Sequence, residues 1–385
     1  MDASMYKPET SAADIKSLFG FGDGLGPNKV IHVHEDSIGL DGVLVVDNVA
    51  AGPSIGGLRM APDVTTEECY RLARAMTLKN AAAGLPHGGG KSVIKADPRM
   101  PATKKETLVR AFACALRGVE DYIFGPDMGT NELCMGWVRD EIGRSVGLPR
   151  AVGGIPLDDL GATGWGLHHA VKTALDFVDM KLDGARVVVQ GFGAVGYHAA
   201  RFLKGDGAKL IAASDSQGGI RNDEGLDVAA LHAFKQTGKS VAEFDGGTPL
   251  DRDDLIAVPC DIWVPAARPD VITADNVDRL EARLVAQGAN IPVTLEAERR
   301  LHERNILSLP DFIANAGGVI CAAMEWHEAS ESAAFQAIED KITLNVREVL
   351  ERATTSGELP RDAAVTMAQD RVRAAMNTRR WRTFY

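Results

Sequence analysis

The chain has 385 residues, 45% hydrophobic and 25% charged, a balance that allows large buried cores in about two domains. With 42 basic against 53 acidic side chains the formal net charge is −11, and without a dense basic run nucleic acid and anionic membrane surfaces are poor partners. No apolar stretch approaches bilayer length, residues 1–20 lack the apolar block of a secretory signal, and Cys69, Cys114, Cys134, Cys260 and Cys321 form no C-x-x-C pair, so a cytoplasmic protein with no metal centre and no disulfide framework is expected.

Residues 1 to about 28, with Gly20, Gly22, Gly24, Gly26 and Pro27, read as a loop. Two β runs follow, Val30 to Val33 and Val43 to Asp47, with the turn between them over 36–42. Thr65-x-x-Glu68 has capping-box spacing and opens a helix. Along it Cys69, Leu72, Met76, Lys79 and Ala83 step by three and four and share one face. A lysine on a buried stripe is costly unless it meets an anion, which makes Lys79 a candidate ligand for a substrate carboxylate. A lysine snorkelling past the helix end is the alternative.

Gly90-Lys91-Ser92 resembles the tail of a phosphate-binding P-loop, but Leu85 stands where that motif needs its first glycine. The segment also follows a helix and runs into a strand, the reverse of the P-loop order, and the NTPase reading fails. What remains is Lys91 beside the glycine turn Gly88-Gly89-Gly90, where burial would bring its amine toward neutrality for acid–base work. A surface lysine in such a turn is the alternative. Pro126-Asp127-Met128-Gly129 is ordinary turn chemistry by itself, and Asp127 gains interest from two lysines in the same domain.

Glycines are frequent over 151–166, a connection into a second domain. Short apolar strands then alternate with helical segments: Arg186 to Gln190, Lys209 to Ser214, Asp261 to Pro265, Leu284 to Gln287 and Ile306 to Ser308. This rhythm predicts a parallel sheet with helices on both faces. Ala333 to Arg382 has helical period, broken near Ser356 to Pro360.

Gly191-Phe192-Gly193-Ala194-Val195-Gly196 follows the first of these strands and opens a helix, the setting in which G-x-G-x-x-G binds a dinucleotide. Its glycines let the backbone approach a pyrophosphate, and the helix N-terminus offers free N–H groups. Asp215, at the end of the next strand, is placed to accept ribose hydroxyls and repel a 2′-phosphate, which favours NAD over NADP. Arg221 follows soon enough to reach a phosphate and keeps NADP open.

Taken together, these segments resemble the glutamate/leucine/phenylalanine/valine dehydrogenase family over nearly the whole chain from Gly52. The resemblance rests on Gly52 to Met60, on Lys79 to Pro86, on Gly88 to Lys91 and on Pro126 to Thr130. It continues through Ala162-Thr163-Gly164, Gln287-Gly288-Ala289-Asn290 and Pro310 to Val319. It implies a two-domain α/β protein: a substrate and oligomerisation domain over 1–160, to which 346–385 return, and a Rossmann domain over 161–345. The two would close on a cleft by a hinge.

The implied activity is reversible NAD(P)-dependent oxidative deamination of an L-amino acid to a 2-oxo acid and ammonia, in a homo-oligomer. By the same resemblance Lys79 holds the α-carboxylate, Lys91 activates water and stabilises the carbonyl oxygen, and Asp127 shuttles protons. Gly56 and Gly57 form the carboxylate turn, and Thr163, Asn290 and Asn315 lie near the nicotinamide or the substrate amine.

Glutamate-using members carry a lysine and a serine where this chain has Ile55 and Ala322. An unpaired γ-carboxylate facing those two would be penalised by roughly several kcal/mol. An apolar side chain, aromatic or large aliphatic, is therefore expected. Its pocket would have Gly125 and Ala322 leaving room, and Met76, Ile55 and Val319 on the walls. Two rivals stay open: a dehydrogenase for glutamate or another polar amino acid in which His87 supplies positive charge, and a non-catalytic amino acid or NAD sensor. No chemistry beyond packing is expected of Cys321.

Overall fold

The computed structural model describes residues 22–379, so the expectations for residues 1–21 lie outside the described residues. These form two units. One comprises 22–77, 86–144 and 372–379; the other comprises 78–85 and 145–371.

The first unit is built on a sheet of order β1-β2-β4-β3-β5, with β1 Lys29–Glu35, β2 Leu40–Asn48, β3 Ser54–Ala61, β4 Gly88–Lys95 and β5 Tyr122–Pro126. The first two strands form the expected antiparallel hairpin, turned by Gly39 at φ 67°. β4 runs antiparallel to β2 and parallel to β3, and β5 runs parallel to β3. Helix α1, Thr66–Ala82, covers one face, where Cys69 and Ala73 pack on Val43, Val45 and Val93. Helices α2, Ala102–Ala115, and α3, Glu132–Ile142, complete the unit, and Phe112 of α2 meets Phe124 of β5 edge to face.

One correction concerns Gly88 to Gly90. They form no turn but the first half of β4, a central strand. Close packing is the reason: a Cβ on Gly89 would lie 2.0 Å from the backbone nitrogen of Thr77 in α1.

The second unit carries a sheet of order β12-β11-β10-β6-β7-β8-β9. Its members are β6 Arg186–Gln190, β7 Lys209–Ser214, β8 Gly219–Arg221, β9 Thr248–Leu250, β10 Ile262–Pro265, β11 Leu284–Ala286 and β12 Leu307–Leu309. From β12 to β7 the strands are parallel, as the alternating rhythm predicts. β8 and β9 are antiparallel additions at the edge. Because β7 lies on one side of β6 and β10 on the other, the strand order reverses at β6, the position where open α/β sheets bind ligands.

The longer helices of this unit are α4 Ala162–Val178, α5 Ala194–Gly205, α6 Val228–Lys235, α7 Leu295–Glu303, α8 Gly317–Trp326, α9 Glu331–Ser356 and the first part of α10 Pro360–Thr378. The break between α9 and α10 falls at the expected place. Trp263, Val188, Ile211 and Val285 anchor one core of the sheet. The unit begins at Ser145 because the following segment is tied to α8: the Glu325 carboxylate accepts from the N–H groups of Leu148 (3.1 Å) and Ile155 (2.8 Å). α9 belongs to this unit in full, and the return to the first unit comes at Val372.

Candidate active site

In the first unit the site grows from three adjacent parallel strands. β3 alternates Ile55, Gly57 and Arg59 on one face, β4 contributes Lys91, and Asp127 follows the end of β5. The Lys91 ammonium, 7% exposed, sits 2.8 Å from Asp127 Oδ2. Arg59 Nε donates to the same oxygen at 2.9 Å, while its Nη1 reaches Glu68 at 2.6 Å. Burial alone would raise the Asp127 carboxyl, but Lys91 and then Arg59 outweigh it and hold it below the ordinary carboxylate value.

Gly57 makes room for this pair. A Cβ there would lie 2.7 Å from Asp127 Cβ and 3.2 Å from Lys91 Nζ. Gly57 pairs with Gly125 on β5, so the sheet is stripped of side chains beside the two charged groups. Gly56 is held from behind by the buried Tyr122 hydroxyl, which donates to its carbonyl at 2.7 Å. The turn chemistry expected of Asp127 is present as well: its N–H donates to Thr130 Oγ1 at 3.0 Å, and that hydroxyl donates to Leu58 O at 2.7 Å. Ile55 is 4% exposed in β3. His87 is buried, with Nδ1 3.0 Å from Pro53 O.

The helix face needs a correction. The fully buried stripe of α1 runs through Cys69, Ala73, Thr77 and Asn80, while Leu72, Met76 and Lys79 lie half-buried on its flank. The capping box is made by half: Glu68 N–H donates to Thr65 Oγ1 at 3.1 Å, and the Glu68 carboxylate goes to Arg59 instead. Lys79, in the stretch that belongs to the second unit, donates to Asn315 Oδ1 at 2.7 Å.

Asn315 is a junction. Its amide nitrogen donates to Ala289 O at 3.2 Å and Asn290 Oδ1 at 3.1 Å, joining the segments after β11 and β12. Both segments are set by a buried ionic knot. Arg361 bonds Glu298 (2.6 Å) and Asp311 (2.9 Å), and Asp311 in turn accepts from the N–H of Ile291 (2.9 Å). Thr163 opens α4 beside Gly318, whose Cβ would lie 3.2 Å from the Thr163 hydroxyl. Val319 and Ala322 are half-buried, three residues apart on α8.

The glycine motif fits a dinucleotide residue by residue. Gly191 turns at φ 94°, and a Cβ on it would press into Ala267. Gly193 caps α5 with nothing within 4 Å of where its Cβ would stand, so the backbone is open to a pyrophosphate. Gly196 lets the helix pack on the turn, its Cβ position lying 2.0 Å from Gly191 O. Ala194 and Val195 form the first turn of α5, and Val195 packs near Gly288.

Asp215 is engaged within its own unit. Its carboxylate is already filled: it accepts from Lys235 Nζ (2.8 Å), Ser240 Oγ (2.9 Å) and the N–H groups of Val241 (2.9 Å), Gln217 (2.9 Å) and Gly218 (3.3 Å). Burial works against the charge, but these donors bring its pKa down to about 2. A carboxylate so saturated has little capacity left for ribose hydroxyls. Arg221 is also engaged, with Asp223 at 2.7 Å.

Sequence reasoning passed over Arg59 and Arg361. Arg59 was within reach, since it stands two residues beyond Gly57 on the same strand face. Arg361 has no local signal, because Glu298 and Asp311 lie far from it in the chain.

Comparison with known proteins agrees with this architecture. Residues 27–144 match the family described as Glu/Leu/Phe/Val dehydrogenase, dimerisation domain, and residues 153–380 match Glutamate/Leucine/Phenylalanine/Valine dehydrogenase. The chain is 36% identical to a glutamate dehydrogenase of Aeropyrum pernix, over 87% of this chain and 85% of that protein. It is 34% identical to an NADP-specific glutamate dehydrogenase of Saccharolobus shibatae, over 95% of each. Among solved structures, the Leu bound form of the hetero-hexameric glutamate dehydrogenase from Thermus thermophilus superposes with a TM-score of 0.80 at 28% identity, covering 99% of each chain.

Proposed function

The chain belongs to the glutamate/leucine/phenylalanine/valine dehydrogenase family, oxidoreductases acting on the CH–NH2 group, and from that premise we propose that it carries out reversible oxidative deamination of an L-amino acid to its 2-oxo acid and ammonia. The observation that carries the reading is the Lys91–Asp127 pair, an acid and a base 2.8 Å apart on a stretch of sheet bare of side chains. Asp127, ionised at neutral pH, takes a proton from the substrate ammonium. Lys91 orients water at the α-carbon and donates to the oxygen that forms there. Lys79 holds the α-carboxylate, and Asn315 fixes the Lys79 amine through its amide oxygen. Gly191, Gly193, Ala194, Val195 and Gly196, with Thr163 and Asn290, would hold a nicotinamide dinucleotide, which would supply a hydride acceptor for the α-carbon. NAD was the expectation from Asp215, and with that carboxylate occupied the choice between NAD and NADP passes to other residues.

The side chain of the substrate divides the observations. Relatives named glutamate dehydrogenase favour glutamate. Ile55 and Ala322 favour an apolar amino acid, since neither offers a charge or a donor from its side chain to a γ-carboxylate. For the glutamate reading His87 is the expected cation, and its Nδ1 already faces Pro53 O. A homo-oligomer is the proposed assembly, in keeping with the dimerisation-domain match.

The test is to incubate the purified protein with each L-amino acid and NAD or NADP and follow nicotinamide reduction. Turnover of leucine, phenylalanine or another apolar amino acid without glutamate supports the Ile55 and Ala322 argument. Glutamate turnover that His87→Ala abolishes supports the other reading. No reduction with any amino acid defeats the dehydrogenase reading and leaves the sensor.

A further inference from the structure

The last turn of α1 ends against cations supplied by two other helices of the second unit. Its own backbone closes it first: Gly84, at φ 62°, donates to Ala81 O at 2.9 Å, and Leu85 N–H donates to Asn80 O at 3.0 Å. Onto this closed end come two long side chains. Arg371 Nη1, from α10, donates to Ala82 O at 2.8 Å and to Ala81 O at 3.2 Å, and Lys341 Nζ, from α9, donates to Gly84 O at 2.9 Å. Arg371 is itself fixed. It donates to the buried Asn345 Oδ1 at 2.8 Å and pairs with Glu348 at 2.6 Å, and Arg352 holds Glu348 from the other side at 2.8 Å. Lys341, Asn345, Glu348 and Arg352 follow one another by three and four residues, so a single face of α9 carries the clamp.

Capping alone does not call for this network, since Gly84 and Leu85 already close the helix end with backbone bonds. What the clamped turn carries is Lys79, whose own carbonyl accepts from Ala83 N–H at 2.9 Å. Asn315 fixes only the tip of that side chain, at 2.7 Å. The direction from which a long, flexible lysine reaches its ligand is set by the backbone at its root. We propose that Arg371 is a positioning residue for substrate binding: by holding the carbonyls of Ala81 and Ala82 it fixes the turn that carries Lys79, and with it the place of the ammonium that meets the substrate α-carboxylate. The proposal rests on the reading of Lys79 as the carboxylate ligand and adds to it what aims that lysine.

The experiment is a double-mutant cycle of Arg371→Met and Lys79→Met in the full chain, read by steady-state kinetics with L-leucine or L-glutamate, whichever is oxidised. Arg371→Met is expected to raise KM for the amino acid about tenfold, the scale of one charge-assisted hydrogen bond. The fall in kcat is smaller than that rise, and KM for the dinucleotide stays where it is. Arg371→Lys restores most of the loss. In the Lys79→Met background Arg371→Met has no further effect, because the side chain it aims is gone. Should Arg371→Met fail to fold by circular dichroism, Lys341→Met loosens the same turn at Gly84 and takes its place in the cycle. An unmoved KM in a folded variant, an equal rise with and without Lys79, or a matching rise in KM for the dinucleotide overturns the proposal. If Lys79→Met raises KM and no coupling to Arg371 is seen, the carboxylate reading of Lys79 stands and this proposal fails. If Lys79→Met leaves KM unmoved, both fail.

Discussion

Arg59 and Lys91 donate to one and the same oxygen, Oδ2 of Asp127, at 2.9 and 2.8 Å. Two cations on one carboxylate oxygen secure its ionised form and fix its direction, so Asp127 meets a substrate amine as a base already deprotonated. Asp127→Asn keeps the shape and removes both the base and the anion. The expected result is a kcat lowered by about 10²–10⁴-fold, the usual span for a lost general base. Steady-state kinetics check it, with a far-ultraviolet dichroism spectrum to confirm the fold. A kcat within tenfold of the parent would remove Asp127 from the proton path.

Arg59 bonds the same carboxyl directly, which makes its effect one of pH. Burial raises the Asp127 carboxyl, and Lys91 and Arg59 bring it below the ordinary value of 3.8. Removing one cation in Arg59→Met weakens the lowering, so Asp127 takes up its proton at a higher pH. The acid limb of the kcat/KM profile is then expected to move to higher pH while the basic limb stays in place. A profile carried down to pH 3, to reach the parent's acid limb below 3.8, decides the point, and an unmoved acid limb would mean that Arg59 does not tune Asp127.

Much of this is legible in the sequence, and the residues show why. Gly191, Gly193 and Gly196 are legible because each answers a local demand, a turn or a close approach, that no other residue type meets. The hairpin of β1 and β2 and the break before α10 are local in the same sense. Lys79 lies on the flank of α1 and not on its buried stripe, a difference the sequence hides because that flank, with Leu72 and Met76, is as apolar as the stripe through Ala73 and Thr77. The glycines before Lys91 read as a turn although what they permit is close packing on α1. Arg361 and Asp215 depend on partners from other elements, and a charge's partner across the fold leaves no periodicity to read.

Asp215 yields a prediction of stability. Its folded pKa of about 2 lies below the ordinary 3.8, so it stabilises the fold above pH 4 and the contribution is lost as pH falls through about 2. The difference corresponds to about 2 kcal/mol at neutral pH. Asp215→Asn removes the charge but keeps two polar atoms, leaving Lys235 without its anion. Its unfolding in urea is expected to be easier than the parent's by about that amount at pH 7. As pH is lowered from 4 toward 2, the two proteins should converge, because the parent then protonates the same group. A gap that persists undiminished at pH 2 would show that the carboxylate's hydrogen bonds, and not its charge, hold the turn after β7 to the Ser240–Val241 segment.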